Sequence, residues 1–404
     1  MLKQNKFISS VAIGGTALAI MMIMVIVVVE EIKTINVSPE NNRSRTMHIK
    51  YESLKMKDGS NAFGGYLRMR VLKYVYEMQI PELISAFVWE DPYLITSSTN
   101  KDLKEFANLK YTDSNFWKIM SFSFIEGQPY DEADFKAGLK KVVITESFSK
   151  KFFGDTNSVG KTLNIDFKPC TVVGVVKNVS PVFRYAYGDI WAPYTIAEEY
   201  EDSRIYEVLL LANSRDDFDQ IKEEARGVER KFNAVDKDFF LELRGPYTPT
   251  AAQLESNSSE EPDERTAYLK MIFVFSILII IPAINLLSIS MSRIKKRTEE
   301  IGIRKAFGAK RHVIIVQVLY ENMITSFIGG VIGLMLSFVI VVWLKEWLLE
   351  MEPGNTIPIQ TLISPWVFLI VFLVSFLFNL LTAGIPAYRA SRVVIVDSLN
   401  KKED

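Results

Sequence analysis

Four long apolar runs without charged side chains constrain this chain more than any other feature of its sequence. The runs cover Phe7 to Val29, Met271 to Ser292, Asn322 to Leu344, and the densest part of a fourth stretch, Trp366 to Leu381. A helix needs about 20 apolar residues to cross the hydrocarbon core of a bilayer. Because four such runs occur in one chain, we predict an α-helical membrane protein with four transmembrane helices rather than a soluble protein with buried core helices.

The first run is also compatible with a secretory signal peptide, since Lys3 and Lys6 precede it. Signal peptides have shorter apolar regions, of about 7–15 residues, and end at a cleavage site with small residues. This run is longer and ends in Val27, Val28 and Val29 before two glutamates. We therefore predict an uncleaved anchor.

The basic residues of the short connecting segments predict the orientation of the spans. The segment from Arg293 to Glu321 contains eight lysines and arginines against three glutamates. The amino terminus and the tail after the fourth span are basic as well, whereas the loop between spans three and four is acidic. We therefore expect both termini on the cytoplasmic side of a bacterial inner membrane and the large middle segment outside it.

The predicted boundaries are: 1–29, N-terminus and span one; 30–270, external domain; 271–292, span two; 293–321, cytoplasmic helix and stalk; 322–344, span three; 345–364, external loop; 365–386, span four; 387–404, cytoplasmic tail.

The external domain is predicted to have an α+β fold from its apolar periodicity. Strand patterns at Thr46 to Tyr51 and Ile84 to Trp89 flank a helical pattern at Leu67, Val71, Val75 and Met78. A second unit has strands at Tyr206 to Ala212 and Phe239 to Leu243 around a helix marked by Phe218, Ile221, Ala225, Val228 and Phe232. Two strand–helix–strand units suggest a ferredoxin-like module.

Between these units we predict an inserted β-rich subdomain at about residues 92–195. Its clearest strands are Val142 to Thr145, Thr162 to Phe167 and Thr171 to Lys177. The polar stretch from Pro246 to Glu264 is interpreted as a linker back to the membrane.

The stretch from Gly154 to Thr162 resembles a nucleotide-binding phosphate loop but has the wrong spacing. Five residues separate Gly154 from the Gly160-Lys161 pair, where the phosphate loop has four. The stretch also follows a helical segment and leads into a strand, which is the reverse of the order that phosphate binding needs. We interpret it as a turn in which Gly160 adopts positive φ.

The remaining composition argues against catalysis, metal binding and nucleic-acid binding by this chain. The net charge is −1, and nucleic-acid binding needs a concentrated basic face. The two histidines, His48 and His312, have no metal-binding context, and Cys170 is the one cysteine. We therefore expect no catalytic residue, no metal and no directly bound cofactor.

The segment from Ser292 to His312 is the most informative for function. Thr298, Glu299 and Glu300 favour a helix start, because carboxylates stabilise the positive end of a helix dipole. Ile303, Ala306 and Phe307 form an apolar side, and Gly308-Ala309 is suited to end the helix. A basic helix at the inner surface can serve only to contact anionic lipid, but its regularly placed acids and glycines suggest a more specific role.

This segment resembles the FtsX/MacB-like permease family of ABC transporters. Residues Arg297 to Ala309 are similar to the family's R-x-x-E-I-G-[IL]-R-[KR]-A-x-G-A motif, and Gln317 and Glu321 match its Q-x-x-x-E. Phe153 to Leu163, Thr171 to Val176, and the tail from Pro386 to Leu399 also resemble family stretches. Ser158 departs from the pattern, since the family usually has proline there.

The resemblance implies a non-catalytic permease subunit that transmits motion from an ATPase to its external domain, for export of a peptide, drug or lipid-linked cargo. Implied partners are a separate ABC ATPase that binds ATP and Mg²⁺, a second copy or related permease, membrane lipid, and a periplasmic adaptor or outer-membrane channel. The alternative is an FtsX-like regulator of an external cell-wall hydrolase. The residues expected to contact the ATPase are Glu299, Glu300, Ile301, Gly302, Arg304, Lys305, Phe307, Gly308 and Ala309.

Small residues at four-residue spacing are expected to let helices approach closely in the membrane. Gly15 and Ala19 have this spacing in the first span, and Gly329 and Gly333 in the third. A dimer contact and packing within one subunit are both consistent with the pattern.

Overall fold

A computed structural model describes residues 6–32, 35–89, 92–98, 102–154, 157–197, 204–255, 260–296, 298–349 and 364–392. The chain divides into two compact units. The α/β unit comprises Lys33–Ala267 with Leu349–Thr356. The helical unit comprises Met1–Ile32, Tyr268–Leu348 and Ile357–Asp404.

The helices and strands are numbered in chain order. The helices are α1 Lys6–Ile32, α2 Met69–Val75, α3 Phe116–Ile119, α4 Glu132–Lys136, α5 Glu146–Phe153, α6 Phe218–Val235, α7 Pro249–Leu254, α8 Glu264–Lys296, α9 Thr298–Ala306, α10 Arg311–Leu348 and α11 Pro365–Ser391. The strands are β1 Thr46–Ile49, β2 Tyr51–Met56, β3 Ala62–Tyr66, β4 Leu83–Trp89, β5 Tyr93–Ser97, β6 Lys104–Ala107, β7 Leu109–Thr112, β8 Phe124–Gly127, β9 Lys141–Thr145, β10 Thr162–Ile165, β11 Lys168–Val176, β12 Ile190–Pro193, β13 Glu207–Leu211 and β14 Phe239–Leu243.

The large sheet of the α/β unit runs in the order β1-β13-β4-β7-β12-β9-β11-β10-β5-β6, with β8 paired to β11. Strand β13 lies between β1 and β4 and is antiparallel to both. Helices α2 and α6 cover the same face, where Val71, Ile221 and Phe232 are buried with Leu210 in one apolar core. The helices of the two predicted strand–helix–strand units therefore pack on one face of this sheet, whereas β14, the last strand of the second unit, lies in a smaller sheet.

The region predicted as an inserted subdomain continues this sheet rather than forming a separate one. Strand β4 pairs with β7 from Phe87 opposite Thr112 to Trp89 opposite Lys110. Strands β7 and β12 are buried along their whole length, and both faces of a sheet must be covered for this to occur. Backbone pairing across β4 and β7 thus joins the two predicted parts.

A smaller sheet has the order β14-β2-β3. The start of the predicted linker follows β14 and pairs with β1 of the large sheet. Tyr247 exchanges both backbone hydrogen bonds with His48 of β1, at 2.8 and 2.9 Å. Helix α7 follows, capped by Thr248, with Ala251 and Ala252 buried. The interpretation of Pro246 to Glu264 as a simple linker is therefore wrong for residues 246–254.

The turn predicted from the phosphate-loop lookalike is confirmed. Helix α5 ends at Phe153, and Gly160 has a φ of +86° two residues before β10 begins. Residues 155 and 156 lie outside the described part of the chain.

Three helices among the described residues are long and apolar enough to cross a membrane: Ser9–Ile32, Arg311–Leu348 and Pro365–Ser391. The remaining predicted span, 271–292, lies on the 33-residue helix α8. The side chains at positions 281, 282, 285 and 286 of α8 lie outside the described residues, and α8 is not among the three.

Glycines set the distances between helices in the helical unit. A Cβ at Gly329 of α10 would lie 2.8 Å from Thr16 Cβ, and one at Gly333 would lie 2.7 Å from the carbonyl oxygen of Ala17. On the other side of α10, a Cβ at Gly330 would lie 2.5 Å from the ring of Phe372. Helix α10 therefore packs closely against both α1 and α11.

Candidate coupling site

Helix α9 has the charge order that stabilises a short helix. Glu299 and Glu300 lie in its first turn, and Arg304 and Lys305 lie in its last. Each pair opposes the partial charge at its end of the helix dipole. The hydroxyl of Thr298 donates to the carbonyl oxygens of Ile294 and Lys295, at 3.1 and 2.9 Å, which ties the start of α9 to the end of α8. Arg297, the first residue of the motif, lies outside the described residues.

The end of α9 is a Schellman motif centred on Gly308, as the Gly-Ala pair predicts. The Gly308 N–H donates to the Lys305 carbonyl at 2.9 Å, and the Ala309 N–H donates to the Arg304 carbonyl at 3.0 Å. Gly308 has a φ of +88°, a conformation that favours glycine. The chain therefore turns sharply before α10 begins at Arg311.

One face of α9 is packed against the ends of three long helices. Ile301 contacts an apolar cluster of Ile294 from α8, Ile314 from α10 and Ala390 from α11. Gly302 is buried beside it. Ile301 and Gly302 are therefore part of the attachment of α9 and not part of an open docking surface.

The cationic side chains of α9 strengthen this attachment. Arg304 donates to Gln317 Oε1 of α10 at 2.6 Å and to Glu300 Oε1 at 2.5 Å. Lys305 donates through Nζ to the carbonyl oxygen of Ser391 in α11, at 2.6 Å. Partial burial, together with the nearby Arg311, lowers the pKa of Lys305 from its ordinary value. Both cations thus join α9 to its neighbouring helices.

The opposite face of α9 is open. Phe307 is 87% exposed and Ile303 is 48% exposed. Glu299 and Gly308 are exposed as well. We call Glu299, Ile303 and Phe307 the outer face of α9. Large apolar side chains this exposed are typical of contacts with another protein or with lipid.

Ile303 was missed among the site residues predicted from the sequence, although it belongs to the predicted apolar side. Residues two positions apart in a helix point about 200° apart, so Ile301 and Ile303 face opposite directions. The four-residue spacing of Ile303 and Phe307 was the signal that places them together.

The remaining predicted residues lie on α1 and α10. Gln317 is the acceptor for Arg304, and Glu321 lies one turn further along α10, beside a small cleft of about 30 Å³ that Glu300 and Arg293 also line. Gly329 and Gly333 pack against α1 of the same chain. Their contacts are with Thr16, Ala17 and Ile20, whereas Gly15 and Ala19 are half-buried on α1.

Two family models match most of the chain. The pattern of the MacB-like periplasmic core domain matches residues 8–228, and that of the FtsX-like permease C-terminal region matches residues 272–395. The chain is 26% identical over 293 residues to the macrolide export ATP-binding/permease protein MacB of Chromobacterium violaceum, a match covering 71% of this chain and 42% of that protein. It is 22% identical over 259 residues to the uncharacterized ABC transporter permease YknZ of Bacillus subtilis, covering 60% of this chain and 61% of that one.

Among solved structures, the α/β unit has a weak likeness to the extracellular domain of a noncanonic ABC-type transporter, YknZ, from Gram-positive bacteria. The TM-score is 0.38 at 14% identity, covering 49% of this chain and all of that one. A likeness at this level carries no argument about fold or function.

The two sequence patterns decide the family. The first spans more than half of the chain, and the second covers α9, α10 and α11 together with most of α8. The chain is a membrane protein with an extracytoplasmic domain of mixed α/β structure. It belongs to the FtsX/MacB-like permeases of ABC transporters.

Proposed function

We propose that this chain is the permease subunit of an ABC transporter and that α9 relays the motion of a separate ATPase to the membrane helices. One observation carries the proposal: α9 is bonded to α10 and α11 on one face and exposes Ile303 and Phe307 on the other. A relay needs both properties, because it must be held firmly by what it moves and remain accessible to what moves it.

The ATPase would bind the outer face of α9. Phe307 and Ile303 would fill an apolar groove in that partner, while Glu299 would set the register by charge. ATP and Mg²⁺ would be bound in the partner, and this chain would hold no cofactor. Of the residues predicted to contact the ATPase, the proposal therefore keeps those that point away from the neighbouring helices, and it adds Ile303.

The attachment face would transmit the displacement. A push on α9 reaches α10 through Arg304 and Gln317, and it reaches α11 through Lys305 and Ser391. Burial of Ile301 in the cluster of Ile294, Ile314 and Ala390 resists sliding of the helix. Two spans would then move together with α9.

The finer features of the fold are part of the same proposal. We infer four spans, with α8 as the second, and cytoplasmic termini. The β1-β13-β4 order, with β14 beside β2, supports a ferredoxin-like arrangement for the two strand–helix–strand units. Cargo would be a peptide, drug or lipid-linked molecule, exported with a periplasmic adaptor or outer-membrane channel. The regulator of an external cell-wall hydrolase would use the same α9 relay.

Substitution of Phe307 tests the docking face. We expect Phe307→Asp to weaken binding of the ATPase by about thirtyfold, because truncating an interface anchor commonly costs about 2 kcal/mol. Binding is measured by co-purification and titration with the ABC ATPase that co-purifies with the wild-type chain. Phe106→Asp is the matched control, since Phe106 is 67% exposed but lies in the α/β unit.

The Arg304→Glu variant tests the attachment of α9 to α10 separately from binding of the ATPase. This variant loses the bond to Gln317 and places an acid beside Glu300. We expect it to bind the ATPase within about threefold of wild type, since rim charges contribute little affinity, but to lose transport-coupled ATP hydrolysis. Normal binding by Phe307→Asp would overturn the docking assignment, and normal coupling in Arg304→Glu would overturn the relay.

A further inference from the structure

A shallow groove of about 550 Å³ runs between α2 and α6 in the α/β unit. Tyr74, Met78 and Ile80 line one wall, and α6 forms the other. The α6 wall has two rows of residues: Gln220, Glu223, Gly227 and Arg230 form the outer row, and Glu224, Val228 and Lys231 form the row nearer the opposite wall. In this second row, Glu224 accepts hydrogen bonds from the backbone N–H groups of Gln79 and Ile80, and Lys231 pairs with Glu77. Such a wall suits an occupant that is itself helical.

Gly227 lies in the middle of the 18-residue helix α6, where glycine costs about 1 kcal/mol relative to alanine. A Cβ at this position would meet only the Arg230 guanidinium, at an ordinary contact distance of 3.7 Å. Packing within the chain therefore does not require glycine here. Because Gly227 has no side chain, another backbone can approach α6 closely at this position.

The charges on either side of Gly227 are self-complementary. Glu223 lies one turn before the glycine, and Arg230 lies one turn after it. If a second α6 crosses the first in the antiparallel direction at Gly227, Glu223 of each copy lies opposite Arg230 of the other. This is the pattern of a two-fold interface, in which one patch pairs with itself.

The existing ion pairs are weak enough to be exchanged. Glu223 contacts Arg226 at 3.1 Å and Arg230 at 3.3 Å within one helix, and all three side chains are more than half exposed. Exposed pairs of this kind contribute between 0 and about 1 kcal/mol. Exchange of partners between two copies would cost little and would bury the pairs.

We propose that the α2–α6 groove is the surface on which the extracytoplasmic domain docks a second copy of this chain, with the two α6 helices crossing at Gly227. The inference rests on the second copy of this chain that the family resemblance implies as a partner, and it specifies where the two copies meet. The helix face supplies close approach, and the flanking charges fix the antiparallel direction.

A cysteine at the crossing point tests the proposal. On a two-fold axis, Gly227→Cys lies next to its own symmetry mate, within the 4.4–6.8 Å Cα separation that a disulfide needs. Asp219→Cys is the matched control: Asp219 is on α6 and 97% exposed, but it lies eight residues away, about 12 Å along the helix. The native Cys170 is buried.

The full-length chain is oxidised mildly in membranes and its covalent species are resolved by mass. We expect at least about fivefold more covalent dimer with Gly227→Cys than with Asp219→Cys, because only the former meets the distance requirement. Equal yields, no dimer, or an adduct whose mass is not twice that of the chain would overturn the proposal.

Charge reversal tests the direction of crossing. In the Gly227→Cys background, we expect Glu223→Arg or Arg230→Glu alone to lower the dimer yield and the double reversal to restore it. No loss in either single variant would refute the antiparallel arrangement. Lysine-directed cross-linking provides the separate measure of the homodimer. A dimer detected by lysine cross-linking without a disulfide at position 227 would refute the groove as the interface but not the homodimer. The absence of a dimer by both methods would refute both.

Discussion

The two units of the molecule bury polar groups in different ways. In the α/β unit, charged side chains are buried, including Lys110, Asp113 and the Glu40–Arg43 pair. In the described part of the helical unit, the buried polar side chains are neutral, such as Thr16, which donates to the carbonyl of Ala12 at 3.0 Å. The α/β unit thus depends on specific charge partners, whereas the helical unit depends on close steric fit.

The environment explains this difference. Charges are costly in the apolar core of a membrane, and helices there associate through small residues and short polar contacts. Asn322 donates to Ser290 Oγ at 3.1 Å, joining α10 to α8 with neutral groups. A water-facing domain can bury a charge if enough partners surround it.

Removal of the Asp113 carboxylate should have the largest effect. It accepts hydrogen bonds from Tyr76 Oη, Ser85 Oγ and the backbone N–H groups of Ala86 and Phe116, at 2.5 to 3.0 Å. We expect Asp113→Ala to lower the free energy of unfolding by about 4 kcal/mol, because several buried donors lose their acceptor. Urea unfolding followed by tryptophan fluorescence measures this. Asp219→Ala, an exposed carboxylate, serves as the control, and equal stability of the two variants would contradict the expectation.

Steric fit in the helical unit is tested at Gly333. An added Cβ would lie 2.7 Å from the backbone oxygen of Ala17, which cannot move away as a side chain can. We expect Gly333→Ala to destabilise the unit by about 2–3 kcal/mol, the usual range for overpacking. Unfolding by SDS in mixed micelles, followed by circular dichroism, provides the measurement. Gly14→Ala should be nearly neutral, since a Cβ there meets nothing within 4 Å.

The buried charge of Lys110 predicts a pH dependence that is specific to the α/β unit. Its Nζ donates to the carbonyls of Arg184 and Tyr185 and lies 4.3 Å from the ring of Trp89. Burial lowers the pKa of Lys110 from 10.5 to about 7. Between those two values the unfolded chain holds a proton that the folded chain has released, so stability should rise with pH.

We expect a gain of about 2 kcal/mol in the free energy of unfolding between pH 7 and pH 9. Urea titrations at the two pH values measure it. The increase in the free energy of unfolding with pH should be lost in Lys110→Met, which keeps a long side chain between Phe87 and Trp89. An unchanged slope in that variant would assign the pH dependence to other groups.

A surface ion pair should matter least. Lys150 and Glu146 contact each other at 2.7 Å on α5, with the Lys150 side chain 60% exposed. We expect Lys150→Ala to change the free energy of unfolding by at most about 0.5 kcal/mol. A loss above 1 kcal/mol would mean that exposed charges also support the α/β unit.

Apolar patterns predicted the elements that have several consecutive or regularly spaced apolar residues. The strands β1, β4, β13 and β14 and the helices α2 and α6 lie where alternating or helical apolar patterns indicate them. Strands β7 and β12 could not be found in this way, because each has only four residues, β7 contains Lys110 and β12 ends at Pro193. A lysine in a short run argues against a buried strand unless its partners, which lie 74 and 75 residues away, are known.

The candidate site shows the same limit. The motif located α9, and its glycine located the turn at Gly308. The sequence could not tell which isoleucine faces inwards, since Ile301 and Ile303 are chemically alike. That distinction depends on α11, whose Ser391 accepts the Lys305 hydrogen bond from 86 residues away.

The two-sided arrangement of α9 has an evolutionary consequence. Residues that bind the neighbouring helices and residues that point away from them are different side chains on one short helix. If the outer face of α9 binds the ATPase as proposed, substitutions at Ile303 or Phe307 would change which ATPase is recognised without weakening the attachment of α9 to the neighbouring helices. Duplicated copies of such a gene could come to bind different ATPases while keeping the same attachment of α9 to α10 and α11.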